Sequence, residues 1–241
     1  MSPPSSPGPL RTFAFGAPSE TRWLAGWFLG SEGFLLMGDG DGVAAREADL
    51  QAGPDAAWHV RATGAEVAMT AASLKAVVAG AEGVADGFEQ AASCDATLDG
   101  ASLAVPGRRG ERAAVLAAES VRDVAAWFDD GGVVALTALR PRKAKGHEHD
   151  AVHAAVVDPD GFGPVIAPRL STTYTEQGRI RRVALELWSE DEDAPAVRLA
   201  AEAVGRGGRV RAGGWELTVD WLLAHRRGHD GAGVYLLAQP A

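Results

Sequence analysis

Cysteine is almost missing from this chain. Cys94 stands alone, so no disulfide can close within the sequence, and nothing marks an oxidising compartment. Long apolar runs are missing too, since none approaches the roughly 18–20 residues that a bilayer-spanning helix needs. Positive charge is scarce: 23 Lys and Arg stand against 32 Asp and Glu, a net charge of −9. That balance argues against a nucleic-acid partner, because such proteins usually carry a basic face. The start, Met1-Ser-Pro-Pro-Ser-Ser-Pro-Gly-Pro9, has neither the basic opening nor the apolar stretch of a signal peptide. Residues 1–9 read as a disordered leader, and the cytoplasm is the expected location. No phosphate-binding glycine loop and no Gly-x-Ser-x-Gly elbow is present.

Glycine, in contrast, is plentiful, with 30 among 241 residues, and it punctuates short apolar runs. Two Trp-Phe pairs one hundred residues apart open similar phrases. Trp27-Phe28 leads through Gly30-Ser-Glu-Gly33 into Phe34-Leu-Leu-Met37, and Trp127-Phe128 leads through Asp129-Asp-Gly-Gly132 into Val133-Val-Ala-Leu136. An aromatic pair, a Gly-bearing turn and an apolar run are the pattern of a β-hairpin. The repetition predicts two related β units in tandem, over 10–116 and 117–241, with the two hairpins equivalent. A chain of this size buries roughly 70–75% of its unfolded surface, so its core needs no staples.

Strand-like segments recur at roughly 8–14-residue spacing, which predicts an all-β sandwich or barrel. Turns are expected at Thr63-Gly64, Leu98-Asp-Gly100, Glu176-Gln-Gly178, Gly205-Arg-Gly-Gly208 and within His225–Gly231. Gly38-Asp-Gly-Asp-Gly42 reads as a tight turn, since a calcium loop would need further acids and a Glu at its twelfth position. Residues 73–92 are Ala-rich but interrupted by Gly80, Gly83 and Gly87, which favours strands over a helix. Residues 115–126 predict a helical connector, with Ser120 and Asp123 placed like a capping box.

The second half carries distinctive phrases: Ala126-Trp-Phe-Asp-Asp-Gly-Gly132, Arg140-Pro, Gly146-His147, Leu170-Ser-Thr-Thr-Tyr174 running into Arg182, Leu185-Glu-Leu-Trp188, and Gly231-Ala-Gly-Val-Tyr235. Their order resembles the tandem lipocalin-like family of carotenoid 1,2-hydratase and AttH-type proteins. The resemblance covers roughly residues 20–240 in pattern. It implies two consecutive antiparallel lipocalin-like β-barrel units enclosing an apolar pocket. Some members hydrate or cyclise isoprenoid and polyketide chains. The chain is shorter than those hydratases, and no catalytic residue is carried across.

The candidate chemistry comes from the residues themselves. Gly146–His153 concentrates His147, His149 and His153 in seven residues after a basic loop of Arg140, Arg142, Lys143 and Lys145. On one continuous strand the three imidazoles would share a face and could hold zinc or iron. The other readings are a solvated loop and a pocket rim, and no metal or cofactor is assigned. A buried His or carboxylate can act as general acid or base without a metal, because burial moves its pKa toward neutrality. His147, His149, Glu186 and Tyr174 are the catalytic candidates, with Glu148 and Asp150 beside them. In Val183–Trp188, alternation puts Val183, Leu185 and Leu187 on one face and Glu186 with Trp188 on the other. A cross-strand ion pair with Arg182 or Arg198 is the competing role for Glu186, and bracing of a strand end for Tyr174. Trp127, Trp188, Trp221 and His153 are the candidate ligand contacts, although the tryptophans also suit a core. Cys94 reads as buried and inert.

The expected function is binding of a small hydrophobic molecule inside a barrel, with cofactor-free isomerisation, hydration or cyclisation as the associated chemistry. A non-catalytic protein with filled barrels and a His-ligated metal enzyme are the alternatives.

Overall fold

The computed structural model describes residues 8–20, 22–39, 42–53, 57–73, 75–78, 87–112, 118–144, 149–158, 165–190, 196–212 and 214–241. Seventeen strands, and no α-helix, occur among them. The first nine are β1 (Leu10–Gly16), β2 (Arg22–Leu29), β3 (Glu32–Asp39), β4 (Gly42–Ala52), β5 (Trp58–Ala62), β6 (Ala65–Ala71), β7 (Ala76–Val78), β8 (Gly87–Leu98) and β9 (Ala101–Arg112). The remaining eight are β10 (Ala118–Phe128), β11 (Val133–Pro141), β12 (Ala151–Val157), β13 (Val165–Tyr174), β14 (Ile180–Ser189), β15 (Val197–Ala212), β16 (Trp215–Arg226) and β17 (His229–Pro240).

The first sheet runs β6-β5-β4-β3-β2-β1-β9-β8-β7, all antiparallel, and β6 pairs back onto β8 from Ala65↔Leu98 to Ala71↔Ala92. Eight strands therefore close a barrel, which removes the exposed edges an open sheet would carry. Short β7 pairs with the other end of β8 at Ala76↔Glu89. The second sheet runs β12-β11-β10-β17-β16-β15-β14-β13 and is barrel-like, with its edge strands β12 and β13 near each other. In each unit the first strand pairs with the last, β1 with β9 and β10 with β17. The fold is all-β with two tandem antiparallel lipocalin-like barrel units.

Three apolar clusters form the core. One fills the first barrel with Phe13, Phe15, Leu24, Phe28, Trp58, Val60 and Met69 among others. A second fills the second unit with Val124, Phe128, Leu136, Val183, Leu185, Leu187 and Leu222. The third lies between the units and mixes Trp23, Trp27 and Phe34 with Trp127, Leu217, Trp221 and Leu236. Strands next to this seam are buried on both faces, so they read as unbroken apolar runs rather than alternating ones. In β2, for example, Trp23 through Phe28 are all buried.

Several turns lie where the sequence places them. Asp99 (φ +48°) with Gly100 (φ +85°) joins β8 to β9, and Arg227 (φ +48°) with Gly228 (φ +86°) joins β16 to β17. Two successive positive φ values match the right-handed twist of the flanking strands. Three expectations need correction. Residues 118–126 are not helical; they belong to β10, whose two faces are covered by β9's unit and by its own barrel. Tertiary burial there overrides the helix propensity of alanine. The Gly205–Gly208 segment is not a turn but an irregularity within the 16-residue β15, where pairing shifts between Ala203 and Gly207. The chain reverses instead at Gly214. Finally, Trp27 lies on the second strand of its unit and Trp127 on the first of its own, so the two hairpins are not equivalent in strand order. What repeats is the register within each pair: the Trp faces the seam and the Phe enters its own barrel.

Candidate functional site

Strand alternation decides which side chains reach the seam. Odd residues of β2 and β10 point there, and so do even residues of β9. At its centre Trp23 stacks on Trp221, with ring centroids 5.8 Å apart and planes 7° apart. Trp127 meets Trp221 edge-on at 5.6 Å and donates from Nε1 to the carbonyl oxygen of Gly16 at 2.9 Å. One tryptophan comes from the first unit and two from the second, so the ring cluster joins the two.

To one side of these rings the seam holds charge. Arg108 donates from Nη1 to Thr12 Oγ1 at 2.6 Å and from Nη2 to Asp123. Glu89 lies 3.5 Å from Arg108 Nη1 and accepts from Arg112 Nη2 at 2.9 Å. Thr137 Oγ1 donates to Asp123 at 2.7 Å. Glu89, Arg108, Arg112 and Asp123 are all buried. Burial pushes the Glu89 carboxyl above its ordinary pKa, while the guanidinium groups of Arg108 and Arg112 pull it back. A side chain at Gly110 would collide with the Glu89 carboxylate, so the glycine makes room for it.

Elsewhere along the seam the wall opens into a cleft of about 810 Å³. It lies against the outer face of the first barrel, not inside either unit. Trp27, Leu29, Glu32, Phe34, Glu47, Asp49 and Arg61 line it from β2 to β5, and Trp215 closes over them from β16. Trp215 stands 4.8 Å from Trp27, between ring centroids, at a 56° tilt. Glu32 and Asp49 are direct cross-strand partners, and Glu47 faces Phe34. The wall thus combines aromatic surface with carboxylates, which can orient a ligand that the rings hold. A smaller groove, about 320 Å³, runs past His59, Glu66, Asp95 and Ser102 on the first barrel.

The residues singled out from the sequence are dispersed. His153 is buried on β12 opposite Thr137 and faces the seam. His149 is exposed just ahead of that strand, and His147 and Glu148 lie outside the described residues. Asp150 binds both Arg122 and Arg140. Glu186 and Trp188 face outward on β14: Glu186 pairs with Arg198 at 3.2 Å, and Arg169 covers the Trp188 ring at 4.8 Å. Tyr174 ends β13, accepts from Thr172 Oγ1 at 3.2 Å and lies 3.5 Å from the buried Tyr235 hydroxyl. Of the eight catalytic and ligand-contact candidates, Trp127 and Trp221 are brought into contact, and none of the seven that are described lines the large cleft. Among the described residues, metal-ligand spacing occurs at Asp129, Asp130 and His229. Those groups already pair, His229 Nδ1 with Asp129 at 2.9 Å and Asp130 with Arg226 at 2.8 Å. The cleft escaped sequence reasoning because its two walls are about 180 residues apart; the one local signal was the Trp27–Phe34 turn, rich in glycine and acid.

No protein-family model matches the chain, and no curated protein does. Several solved structures share its fold. The structure of CghA with Sch210972 superposes with a TM-score of 0.62 at 14% identity, covering 98% of this chain and 89% of that one. Kievitone hydratase from Nectria haematococca superposes with a TM-score of 0.56 at 7% identity, covering 97% and 89%. At such identities the likeness shows architecture, and it extends across both units.

Proposed function

We propose that this chain binds a small molecule with an apolar body in the seam cleft, and that it is a distant member of the tandem lipocalin-like family of carotenoid 1,2-hydratase and AttH-type proteins. Any chemistry there is cofactor-free isomerisation, hydration or cyclisation, with the cleft carboxylates moving protons, and the protein works in the cytoplasm. The observation that carries this reading is the cleft itself: about 810 Å³ of space walled by Trp27, Phe34 and Trp215, with Glu32, Glu47 and Asp49 beside them. That volume lies within the roughly 300–1,000 Å³ usual for ligand sites. The shared architecture supports it, because one neighbour was solved with a bound compound and the other is named a hydratase. The site differs from the expected interior of a barrel, since apolar side chains occupy both interiors.

The test is native mass spectrometry of protein purified from its own host, repeated on Trp215→Ala. A retained organic mass that the variant loses is the expected result. A bare protein mass in both, with no change in melting temperature across a panel of hydrophobic compounds, overturns the reading. The second reading, a non-catalytic protein, is favoured by the filled barrels, and that same bare mass would support it.

A further inference from the structure

The walls of the cleft carry more negative charge than their own structure can use. Glu32 and Asp49 sit directly opposite each other on β3 and β4, and like charges so placed destabilise an antiparallel pair. Glu47 is next along the same face of β4. None of the three has an ion pair or side-chain hydrogen bond among the described residues. Arg61, the one cation of the lining among the described residues, is the cross-strand partner of Asp49, yet its Nε approaches Glu66 instead, at 3.9 Å. A bare metal ion does not fit. Three donor atoms that share one ion lie within 4.8 Å of each other, and the described group meeting that spacing is Asp129, Asp130 and His229, remote from this wall. The charge is spread along a lining that also holds Trp27, Phe34 and Trp215. A positive charge over an indole face is attracted by the ring quadrupole, and this attraction is how ammonium ligands are recognised.

We infer that the ligand of the seam cleft is an organic cation, an amine or quaternary ammonium on an apolar body, with the charge held between Glu32, Asp49 and the half-buried Trp215 ring, which packs on the buried Trp27. This rests on the cleft being the binding site. It deepens that reading by naming the charge of the ligand. Neutral chains would gain only the apolar wall, and anions would meet repulsion from three carboxylates.

The experiment compares three probes with the same aryl-alkyl body: 4-phenylbutyltrimethylammonium, 4-phenylbutanol and 4-phenylbutyrate. Binding is read from the indole N–H signals of Trp27 and Trp215 in a nitrogen–proton correlation spectrum, assigned with Trp215→Phe. The ammonium should bind about tenfold tighter than the alcohol, as a cation–π contact with supporting charge allows. The carboxylate should shift nothing. A double variant, Glu32→Gln with Asp49→Asn, should remove the roughly tenfold preference for the ammonium over the alcohol. Both positions are exposed, so folding is not at risk, and the melting temperature should hold or rise. If the alcohol or carboxylate binds as tightly as the ammonium, the inference fails and the cleft reading survives. If the preference persists in the double variant, the assignment to these carboxylates fails. If no probe moves either indole signal, both readings fall.

Discussion

Trp127 and Gly16, 111 residues apart, are joined by a hydrogen bond from the indole Nε1 to the carbonyl oxygen at 2.9 Å. The bond crosses from one unit to the other beside the stacked rings of Trp23 and Trp221. Trp127→Phe leaves the Gly16 carbonyl buried without its donor and should destabilise the protein by about 1–3 kcal/mol. Gly16→Ala should be costly as well, because the new methyl carbon would sit 2.5 Å from the Trp221 ring. Urea denaturation checks both, and a loss near zero in either would show that the seam relaxes freely.

Arg108 is enclosed by Asp123, Glu89 and Thr12. Arg108→Met keeps much of its volume, takes the cation from the buried Asp123 carboxylate and leaves Glu89 with Arg112 alone. A stability loss of about 3–5 kcal/mol is expected, as for other buried pairs broken on one side. The triple change Arg108→Met, Asp123→Leu, Glu89→Gln should recover much of that loss. Failure to recover would mean that the ions contribute more than their mutual compensation.

Glu89 gives the pH dependence. Its folded pKa lies above the ordinary 4.5 because of burial. The folded state therefore holds a proton that the unfolded state releases. Its contribution to stability is full below 4.5 and is lost as pH rises through the higher folded value. The stability difference between the protein and Glu89→Gln should shift in favour of the variant as pH increases above 4.5. A difference independent of pH would show that the flanking arginines cancel the effect of burial.

Cys94 is buried in the first barrel, and burial pushes its thiol up to about 12. At pH 8 the thiolate fraction is on the order of 10⁻⁴, so a thiol reagent should not modify the native protein. Denaturant should expose one reactive thiol per chain. Rapid labelling without denaturant would show that the first barrel opens readily.

The β class, the two-unit division of labour and most hairpin turns are legible in the sequence, because those signals are local. Thr63-Gly64 and Asp99-Gly100 define turns through their own backbone preferences, and alternation in Val183–Trp188 sets which residues are buried. The residues of β10 misled, because an Ala-rich strand buried on both faces lacks the period-two pattern of a half-exposed one. The Gly205–Gly208 cluster misled for a related reason: glycines that look like a turn can also absorb an irregularity in a long ladder. What the sequence by itself determined was which short segments are extended and where many of them reverse. Only the tertiary structure decided that the two units pack face to face through Trp23, Trp127 and Trp221, that Arg108 finds Asp123, and that Trp215 meets Trp27 beside the cleft that Glu32 and Asp49 also line. Those contacts join residues 15 to nearly 200 positions apart, and no local preference encodes them; they follow from burying the outer faces of two barrels against each other.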